Sequence, residues 1–266
     1  MTVAIGGFGA IGRAVAGHLD AGIPGLRLVA VSAQDQERAR RRAAELKTVV
    51  DVVPLADLAD AAEVVIECAP AAVFAEVAEP AVEAGGTLVT LSVGALVDHA
   101  HLIDRAAETG ARIIVPSGAL LGLDAVRAAA QGDIQSVRMV TRKPPGGLAG
   151  TPLVVERGID LDRLQAPLRL FEGNARDAVK GFPANVNVAA ALGLAGLGPQ
   201  ATQLEIWADP TVDRNIHHIE VVADSARFEM TIENVPSDNN PRTGRIVALS
   251  VVATLRAMTA PLRIGA

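Results

Sequence analysis

The sequence predicts an α/β protein with an N-terminal doubly wound parallel sheet, a second α+β domain and a C-terminal helix. The first half alternates short apolar runs with segments rich in Ala, Leu, Glu and Arg, a pattern typical of a parallel sheet covered by helices on both faces. Hydrophobic residues make up 50% of the 266 residues but aromatic residues only 2%, so the core must be built from Ala, Val, Leu and Ile. Such a composition suits helices packed on a buried sheet.

The apolar runs of the first half are predicted strands at residues 3–5, 26–31, 64–67, 87–91 and 112–115. The segments between them are predicted helices at residues 11–21, 37–45, 73–84 and 102–109. The second of these helices carries a cluster of basic residues, which indicates a solvated helix face: Arg38, Arg40, Arg41 and Arg42.

The pattern changes after Ser117. The stretch KPPGGLAGTP at 143–152 predicts a loop, and β-rich runs at 203–208, 217–223 and 227–233 predict an antiparallel sheet. A closing helix is predicted from Pro241 to Met258, with Asn240 as its cap. We therefore expect a first domain at 1–118, a second at 119–240, and a C-terminal helix within 241–266 that packs back on the first domain.

Charge and cysteine content exclude several classes of protein. A net charge of −6 leaves no general basic field for nucleic acid. The single cysteine, Cys68, excludes an intrachain disulfide and fits a reducing compartment, and the absence of tyrosine excludes a tyrosine acid/base. The chain enters an apolar strand at once and has no apolar stretch long enough to cross a bilayer. We expect a cytoplasmic protein without nucleic-acid or membrane partners, and we predict no metal site.

The segment IGGFGAIG at 5–12 contains a Gly-x-Gly-x-x-Gly motif directly after the first strand and before a helix. Gly7 permits the tight turn, Gly9 lets the backbone approach a pyrophosphate, and Gly12 lets the helix pack closely on the strand. Ala10 and Ile11 belong to the same turn, where helix N–H groups face the anion. In its strand–helix context the motif predicts a Rossmann domain that binds NAD or NADP through these five residues.

The end of the second strand leaves the choice between NAD and NADP open. Ser32 and Ala33 occupy the place where an acidic residue would hold the ribose 2′-hydroxyl of NAD. Asp35 comes slightly late, and the nearby Arg38 could accept the 2′-phosphate of NADP.

Ligands of such sheets bind beyond the carboxyl ends of the strands. Three loops of small residues emerge at that edge: CAPAAV (68–73), SVGAL (92–96) and PSGALLGLD (116–124). They suit a nicotinamide ribose held close to the backbone, although each is also compatible with an ordinary turn.

The second half carries motifs that resemble the L-aspartate dehydrogenase family: FEGNARDAV (171–179), GFPANVNVAAALGLAGLG (181–198), ADPTVDRNIHHIEV (208–221) and IENVPSDNNPRTGRIVALS (232–250). SVGAL, PSGALLGLD and TRKPP (141–145) belong to the same resemblance, which covers nearly the whole chain in order. The family implies a Rossmann domain, an α+β catalytic domain and a homodimer. It also implies reversible NAD(P)-dependent oxidative deamination of L-aspartate, through iminosuccinate, to oxaloacetate and ammonia.

The resemblance also implies site residues. The catalytic histidine of the Asn-x-His motif corresponds to His217. Cofactor contacts correspond to Ala119 and to one asparagine of FPANVNVAA, either Asn185, which we favour, or Asn187. A dicarboxylate substrate needs cations, and we expect Lys143 of TRKPP to bind a carboxylate, with a solvated loop lysine as the alternative.

Residue chemistry agrees with the choice of His217. Imine hydrolysis requires a group that moves protons, and histidine, with an unperturbed pKa of about 6.5, is suited to this role. A strand points His217 and His218 to opposite faces, so only one of them can serve. The other three histidines, His18, His99 and His101, are expected to face solvent.

Other functions on this scaffold stay open. Another Rossmann-fold amino-acid dehydrogenase or a dihydrodipicolinate-type reductase would use the same cofactor. A phosphorylating semialdehyde dehydrogenase would need a cysteine nucleophile, and Cys68 lies inside the nucleotide domain. A noncatalytic NAD(P)-sensing protein would bind the dinucleotide without turnover.

Overall fold

The structure, a computed structural model, describes residues 1–183, 186–237 and 240–265. Their contacts divide the chain into two compact units. Unit 1 comprises Met1–Gly118 and Val247–Ile264, and unit 2 comprises mainly Ala119–Ile246. Each unit contains its own hydrophobic core.

Unit 1 contains a six-stranded sheet in which every strand pair is parallel, and it confirms the predicted doubly wound fold. Its order is β3-β2-β1-β4-β5-β6, with β1 Thr2–Gly6, β2 Arg27–Ser32, β3 Asp51–Val52, β4 Val64–Glu67, β5 Thr87–Thr90 and β6 Arg112–Ile114. The helices are α1 Ala10–Asp20, α2 Gln36–Ala43, α3 Leu58–Ala61, α4 Phe74–Glu83, α5 Val93–Asp98 and α6 His101–Thr109. The sequence patterns did not predict β3, α3 or α5.

Both faces of this sheet are buried, which explains the continuous apolar runs. One face packs against α1 and α2 through residues such as Val15, Leu19 and Ala39. The other packs against α4 and α6 through residues such as Val77 and Leu102.

Unit 2 contains a five-stranded sheet in the order β11-β10-β7-β9-β8. The strands are β7 Ile134–Lys143, β8 Leu168–Asn174, β9 Gln203–Ala208, β10 Asn215–Ala223 and β11 Arg227–Asn234. The helices are α7 Leu123–Ala129, α8 Pro152–Glu156, α9 Ala175–Gly181 and α10 Asn187–Ala195. The sheet is mixed rather than antiparallel, because β7 and β9 run parallel while the other pairs are antiparallel. The long connection between β7 and β9 provides the length that a parallel crossover needs.

Side chains in the three central strands, β7, β9 and β10, alternate between a buried and a less buried face. In β7, Val137, Met139, Thr141 and Lys143 are buried, and the residues between them are half-buried. The same alternation in β10 buries His217, Ile219 and Val221. The buried face therefore combines the core of unit 2 with polar side chains near one end of β7 and β10.

The segment before the last helix differs from the prediction. Residues that we expected to cap and begin the helix form a short strand, β13 Asn240–Gly244, which pairs antiparallel with β12 Pro236–Ser237. The last helix, α11, spans Ile246–Thr259. A helix from Pro241 would hold Gly244 in its interior, at a cost of about 1 kcal/mol relative to alanine.

Helix α11 belongs to unit 1 although it lies at the far end of the sequence. Val251, Val252 and Leu255 join the core formed with β1 and α1. Over the described ranges, no helix is long and apolar enough to span a bilayer.

Candidate active site

The glycine turn after β1 has the geometry that the motif predicted. Gly7 has φ +101°, and a Cβ built on it would lie 2.5 Å from the carbonyl oxygen of Cys68. A Cβ on Gly12 would collide with the carbonyl oxygen of Gly7, whereas one on Gly9 would meet nothing within 4 Å. Close packing therefore requires glycine at positions 7 and 12, whereas the space beside Gly9 is open.

The first turn of α1 is suited to an anion. Its N-cap is Gly9, which provides no side-chain hydrogen bond, and no acidic residue occurs in the first turn. Backbone N–H groups at such a helix start bind phosphate. These features fit the pyrophosphate of NAD or NADP, and Ala10 and Ile11 are the first two residues of this helix.

The region beyond β2 is positively charged. Ser32 is buried, and Asp35 accepts the N–H of Arg38 at 2.9 Å as the cap of α2. The Arg42 guanidinium donates to the carbonyl oxygen of Phe8 in the glycine turn at 3.5 Å. Partial desolvation and the charges of Arg13 and Arg38 lower the pKa of Arg42. The carboxylate of Asp35 thus caps α2, and the guanidinium groups of Arg13 and Arg42 lie beside the glycine turn.

His217 lies on the buried face of β10 with only 2% exposure. Its Nδ1 is 3.1 Å from the hydroxyl of Thr141, its cross-strand neighbour on β7. Burial and, secondly, the charge of Lys143 lower the pKa of His217 to about 3. With this pKa the ring is neutral at physiological pH. Because Nδ1 lies against Thr141, Nε2 is the nitrogen that could contact a reacting group.

Lys143, the last residue of β7, is on the same face as Thr141 and is 5% exposed. Burial lowers the pKa of Lys143 to about 8. The alternative of a solvated loop lysine is therefore wrong. The neighbouring Arg142 points to the other face and forms an ion pair with Asp209 at 3.0 Å.

His218 occupies the opposite, half-exposed face of the sheet. Its Nδ1 is 2.8 Å from the hydroxyl of Thr231, and its Nε2 is 3.4 Å from Glu220. His101 is exposed and His18 is half-buried. His99 departs from the expected solvent-facing position, since it packs on Phe74 with ring centroids 5.3 Å apart.

The remaining predicted cofactor contacts lie in unit 2. The carbonyl oxygen of Ala119 accepts a hydrogen bond from Nδ2 of Asn234 at 3.1 Å. The buried Oδ1 of Asn234 has no hydrogen-bond partner among the described residues, so it can accept one from a ligand. Asn187 is the first residue of α10, and Asn185 lies outside the described residues.

Sequence reasoning did not single out Thr141 or Asn234. Both occur in motifs that carried the family resemblance, TRKPP and IENVPSDNN. Their hydrogen bonds join distant parts of the chain, and no local pattern reports such contacts. Within the part of the chain that the structure describes, no three His, Cys, Asp or Glu side chains form a metal-binding group.

Together, the doubly wound unit with its glycine turn and the buried polar face of unit 2 define a two-domain, nicotinamide-dependent dehydrogenase. Comparison with known proteins is consistent with this class. Residues 7–116 match the family model described as homoserine dehydrogenase, NAD binding domain. Residues 124–258 match the model described as aspartate dehydrogenase, C-terminal.

Full-length relatives identify the family. The chain is 54% identical to an L-aspartate dehydrogenase of Bradyrhizobium diazoefficiens, over 100% of this chain and 94% of that protein. It is also 54% identical to L-aspartate dehydrogenase 3 of Bordetella bronchiseptica, over 99% and 97% of the two chains. The crystal structure of aspartate dehydrogenase from Thermotoga maritima matches with a TM-score of 0.76 and 26% identity, over 100% and 99%. The chain belongs to the L-aspartate dehydrogenase family.

Proposed function

We propose that this protein catalyses the reversible oxidative deamination of L-aspartate to oxaloacetate and ammonia, through iminosuccinate, with NAD or NADP. The observation that carries this assignment to specific residues is the burial of both His217 and Lys143 on one face of the unit 2 sheet. Residues 1–118 would bind the dinucleotide, and residues 119–240 would carry the chemistry. When bound, the nicotinamide accepts a hydride from C2 of the amino acid.

Lys143 is the proposed partner of a substrate carboxylate. Lys143 is buried on the same face of the sheet as His217, and its ammonium can form a charged hydrogen bond with a carboxylate bound there. Arg142 points to the other face and forms an ion pair with Asp209. Binding aspartate through Lys143 would place its charge close to His217.

His217 is the proposed acid/base. Water adds to C2 of the imine while Nε2 accepts one proton from that water and returns it to the nitrogen, which gives a carbinolamine. Nε2 then accepts the proton of the new hydroxyl group as the C=O bond forms and the C–N bond breaks, and it passes this second proton to the nitrogen, which leaves as ammonia. Thr141 holds Nδ1 and thereby fixes the orientation of the ring. A neutral ring can accept the proton, and this is the state that burial enforces.

The proposal is tested by measuring reduced nicotinamide absorbance with a panel of amino acids and either NAD or NADP. L-aspartate should give the highest kcat/KM, and oxaloacetate with ammonia should support the reverse reaction. A higher kcat/KM for alanine or glutamate would contradict the substrate assignment. Dinucleotide binding without turnover of any amino acid would instead favour a sensing protein.

We also propose that both NAD and NADP are accepted, with a slight preference for NAD on family grounds. The absence of an acid at the end of β2 and the position of Arg42 support acceptance of a 2′-phosphate.

The family further supports a homodimer that works in the cytoplasm. Sedimentation equilibrium that gave only the 27.4 kDa mass of a single chain would contradict the dimer. Cell fractionation tests the location.

A further inference from the structure

Glu67 is a carboxylate enclosed in the middle of unit 1. It is the last residue of β4, is fully buried, and lies in a strand where apolar side chains are otherwise expected. Its Oε1 accepts hydrogen bonds from Ala69 N at 3.1 Å and Ser92 Oγ at 2.9 Å. Its Oε2 accepts from Thr90 Oγ1 at 2.8 Å, Ser92 N at 3.0 Å and Leu91 N at 3.3 Å.

In each of these hydrogen bonds, a carboxylate oxygen of Glu67 is the acceptor. Three of the donors are backbone N–H groups, which can only donate, and the two hydroxyls complete the set. Burial raises the pKa of the Glu67 carboxyl, while the donors from Ser92, Thr90 and Leu91 act in the opposite direction. A buried carboxylate carries a large desolvation cost, so the arrangement indicates a purpose beyond filling the core.

The donors belong to different loops at the carboxyl edge of the sheet. Ala69 lies in the loop after β4, and Leu91 and Ser92 lie in the loop after β5. The loop after β4 also packs on the glycine turn. The missing Cβ of Gly7 would lie 2.6 Å from Ala69 N, and Cys68 Sγ donates to the carbonyl oxygen of Gly7 at 3.1 Å. Glu67 therefore connects, directly or through one residue, three loops at the edge where ligands of parallel sheets bind.

We propose that Glu67 is a positioning residue for the dinucleotide: its carboxylate holds the loops after β4 and β5 in register with the glycine turn. It acts through these loops and not by touching the cofactor. The inference rests on the proposed function only in taking the ligand to be NAD(H) or NADP(H).

A control carboxylate, exposed where Glu67 is buried, lies next to the other end of β4. Glu63 directly precedes β4 and accepts hydrogen bonds from Thr2 N at 2.8 Å and Thr2 Oγ1 at 3.2 Å. It too joins distant segments through a backbone N–H and a hydroxyl, but it does so at the amino edge of the sheet, away from the ligand edge. Glu63→Gln therefore shows the effect of changing a carboxylate that joins distant segments but does not contact the loops at the ligand edge.

Glu67→Gln keeps the shape of the side chain but turns one acceptor oxygen into an NH₂ group that faces N–H and O–H donors. We expect the dissociation constants of NADH and NADPH, measured by fluorescence titration, to rise together by about tenfold or more, because at least two of the donors lose their acceptor. KM for aspartate at saturating cofactor should stay within about twofold of wild type, a separation that general loosening of the fold would not give. Glu63→Gln should lower the thermal unfolding midpoint without changing either dissociation constant.

A folded Glu67→Gln protein with wild-type affinity for both dinucleotides would overturn the proposal, and so would an equal loss of affinity in Glu63→Gln. If Glu67→Gln does not fold, Ser92→Ala decides the matter, because it removes one hydroxyl donor and keeps the carboxylate. It should weaken NADH binding by roughly fivefold, and unchanged binding would overturn the proposal. Because NADH titration contains no aspartate, the result stands apart from any failure of the substrate assignment.

Discussion

At the scale of single residues, His217 and His218 are adjacent in the sequence but lie in different environments, His217 buried and His218 half-exposed. The period of a β-strand alone places them on opposite faces, and the sequence predicted this much. The contact of His217 with Thr141 and its electrostatic coupling to Lys143 could not be predicted, since they depend on pairing with a strand more than 70 positions earlier. Its low pKa follows from that burial and not from any motif.

The first prediction compares His217→Ala with His218→Ala. Removing a positioned acid/base costs about a hundredfold to ten-thousandfold in rate, so His217→Ala should lose that much of kcat while still binding NADH. Among the described residues, the polar partners of the His218 ring are Thr231 and Glu220 on the half-exposed face, so its variant should lose far less. Steady-state kinetics measure kcat of the two variants, and NADH titration measures their affinity for the cofactor. A larger loss in His218→Ala would contradict the proposed role.

The second prediction concerns pH. If protonated Lys143 binds a substrate carboxylate, deprotonation on passing above its pKa of about 8 must weaken that binding. We expect KM for oxaloacetate, with saturating NADH and ammonia, to be constant below this pH and to rise about tenfold per pH unit above it. Oxaloacetate is the suitable substrate for this measurement because it carries no titrating amine.

The matched variants for this test are Lys143→Met and Lys180→Met. Lys143→Met should show a high KM at every pH and no alkaline rise. Lys180 is exposed on α9, and its replacement should leave the profile unchanged. A wild-type KM that stays flat to pH 10 would show that Lys143 does not bind the substrate.

At the scale of elements, the long helices of unit 1 were predicted well, whereas its short elements were missed and the bounds of β7, β8 and α10 in unit 2 were not predicted. The helices α1, α2, α4 and α6 lie within one or two residues of their predicted bounds because each buries an apolar stripe. Strand β3 has only two residues and α3 only four, too short for any period to be visible. Pairing with β12 placed Asn240–Gly244 in a strand despite a local helix-start signal.

Helix α2 carries the third prediction, on cofactor choice. Arg42 reaches the glycine turn, whereas Arg41 on the same helix is exposed. Arg42→Gln should raise KM for NADP by about tenfold, as expected for one lost charged hydrogen bond, and should leave KM for NAD nearly unchanged. Arg41→Gln should change neither.

The wild-type ratio of kcat/KM for the two nucleotides completes this test. A preference above roughly a thousandfold, about 4 kcal/mol, would contradict the use of both NAD and NADP.

At the scale of the whole molecule, the parallel sheet of unit 1 followed from the alternation of strand and helix patterns, but its strand order was not predicted. The parallel β7–β9 pair in unit 2 was not predicted either, because strand order there depends on long connections whose path no local pattern records. We expected the last helix to pack on the first domain, and contacts between the two ends of the chain place α11 in unit 1.

The fourth prediction tests the contribution of α11 to stability with two leucines of that helix. Leu255 is fully buried in the core of unit 1, whereas Leu249 is 52% exposed. Leu255→Ala should lower the free energy of unfolding by about 2–5 kcal/mol. Leu249→Ala should change it by less than about 0.5 kcal/mol. Urea unfolding of the full chain measures both, and equal effects would show that α11 does not complete this core.

The position of α11 also sets an order of events during synthesis. Residues 119–246 form a continuous segment, so unit 2 has nearly all of its sequence once that segment leaves the ribosome. Unit 1 precedes unit 2 in the sequence, but it lacks Val251, Val252 and Leu255 until Val247–Ile264 have been made. The nucleotide-binding unit, although encoded first, therefore completes its core last, and a chain whose translation stops early would leave that core open to solvent.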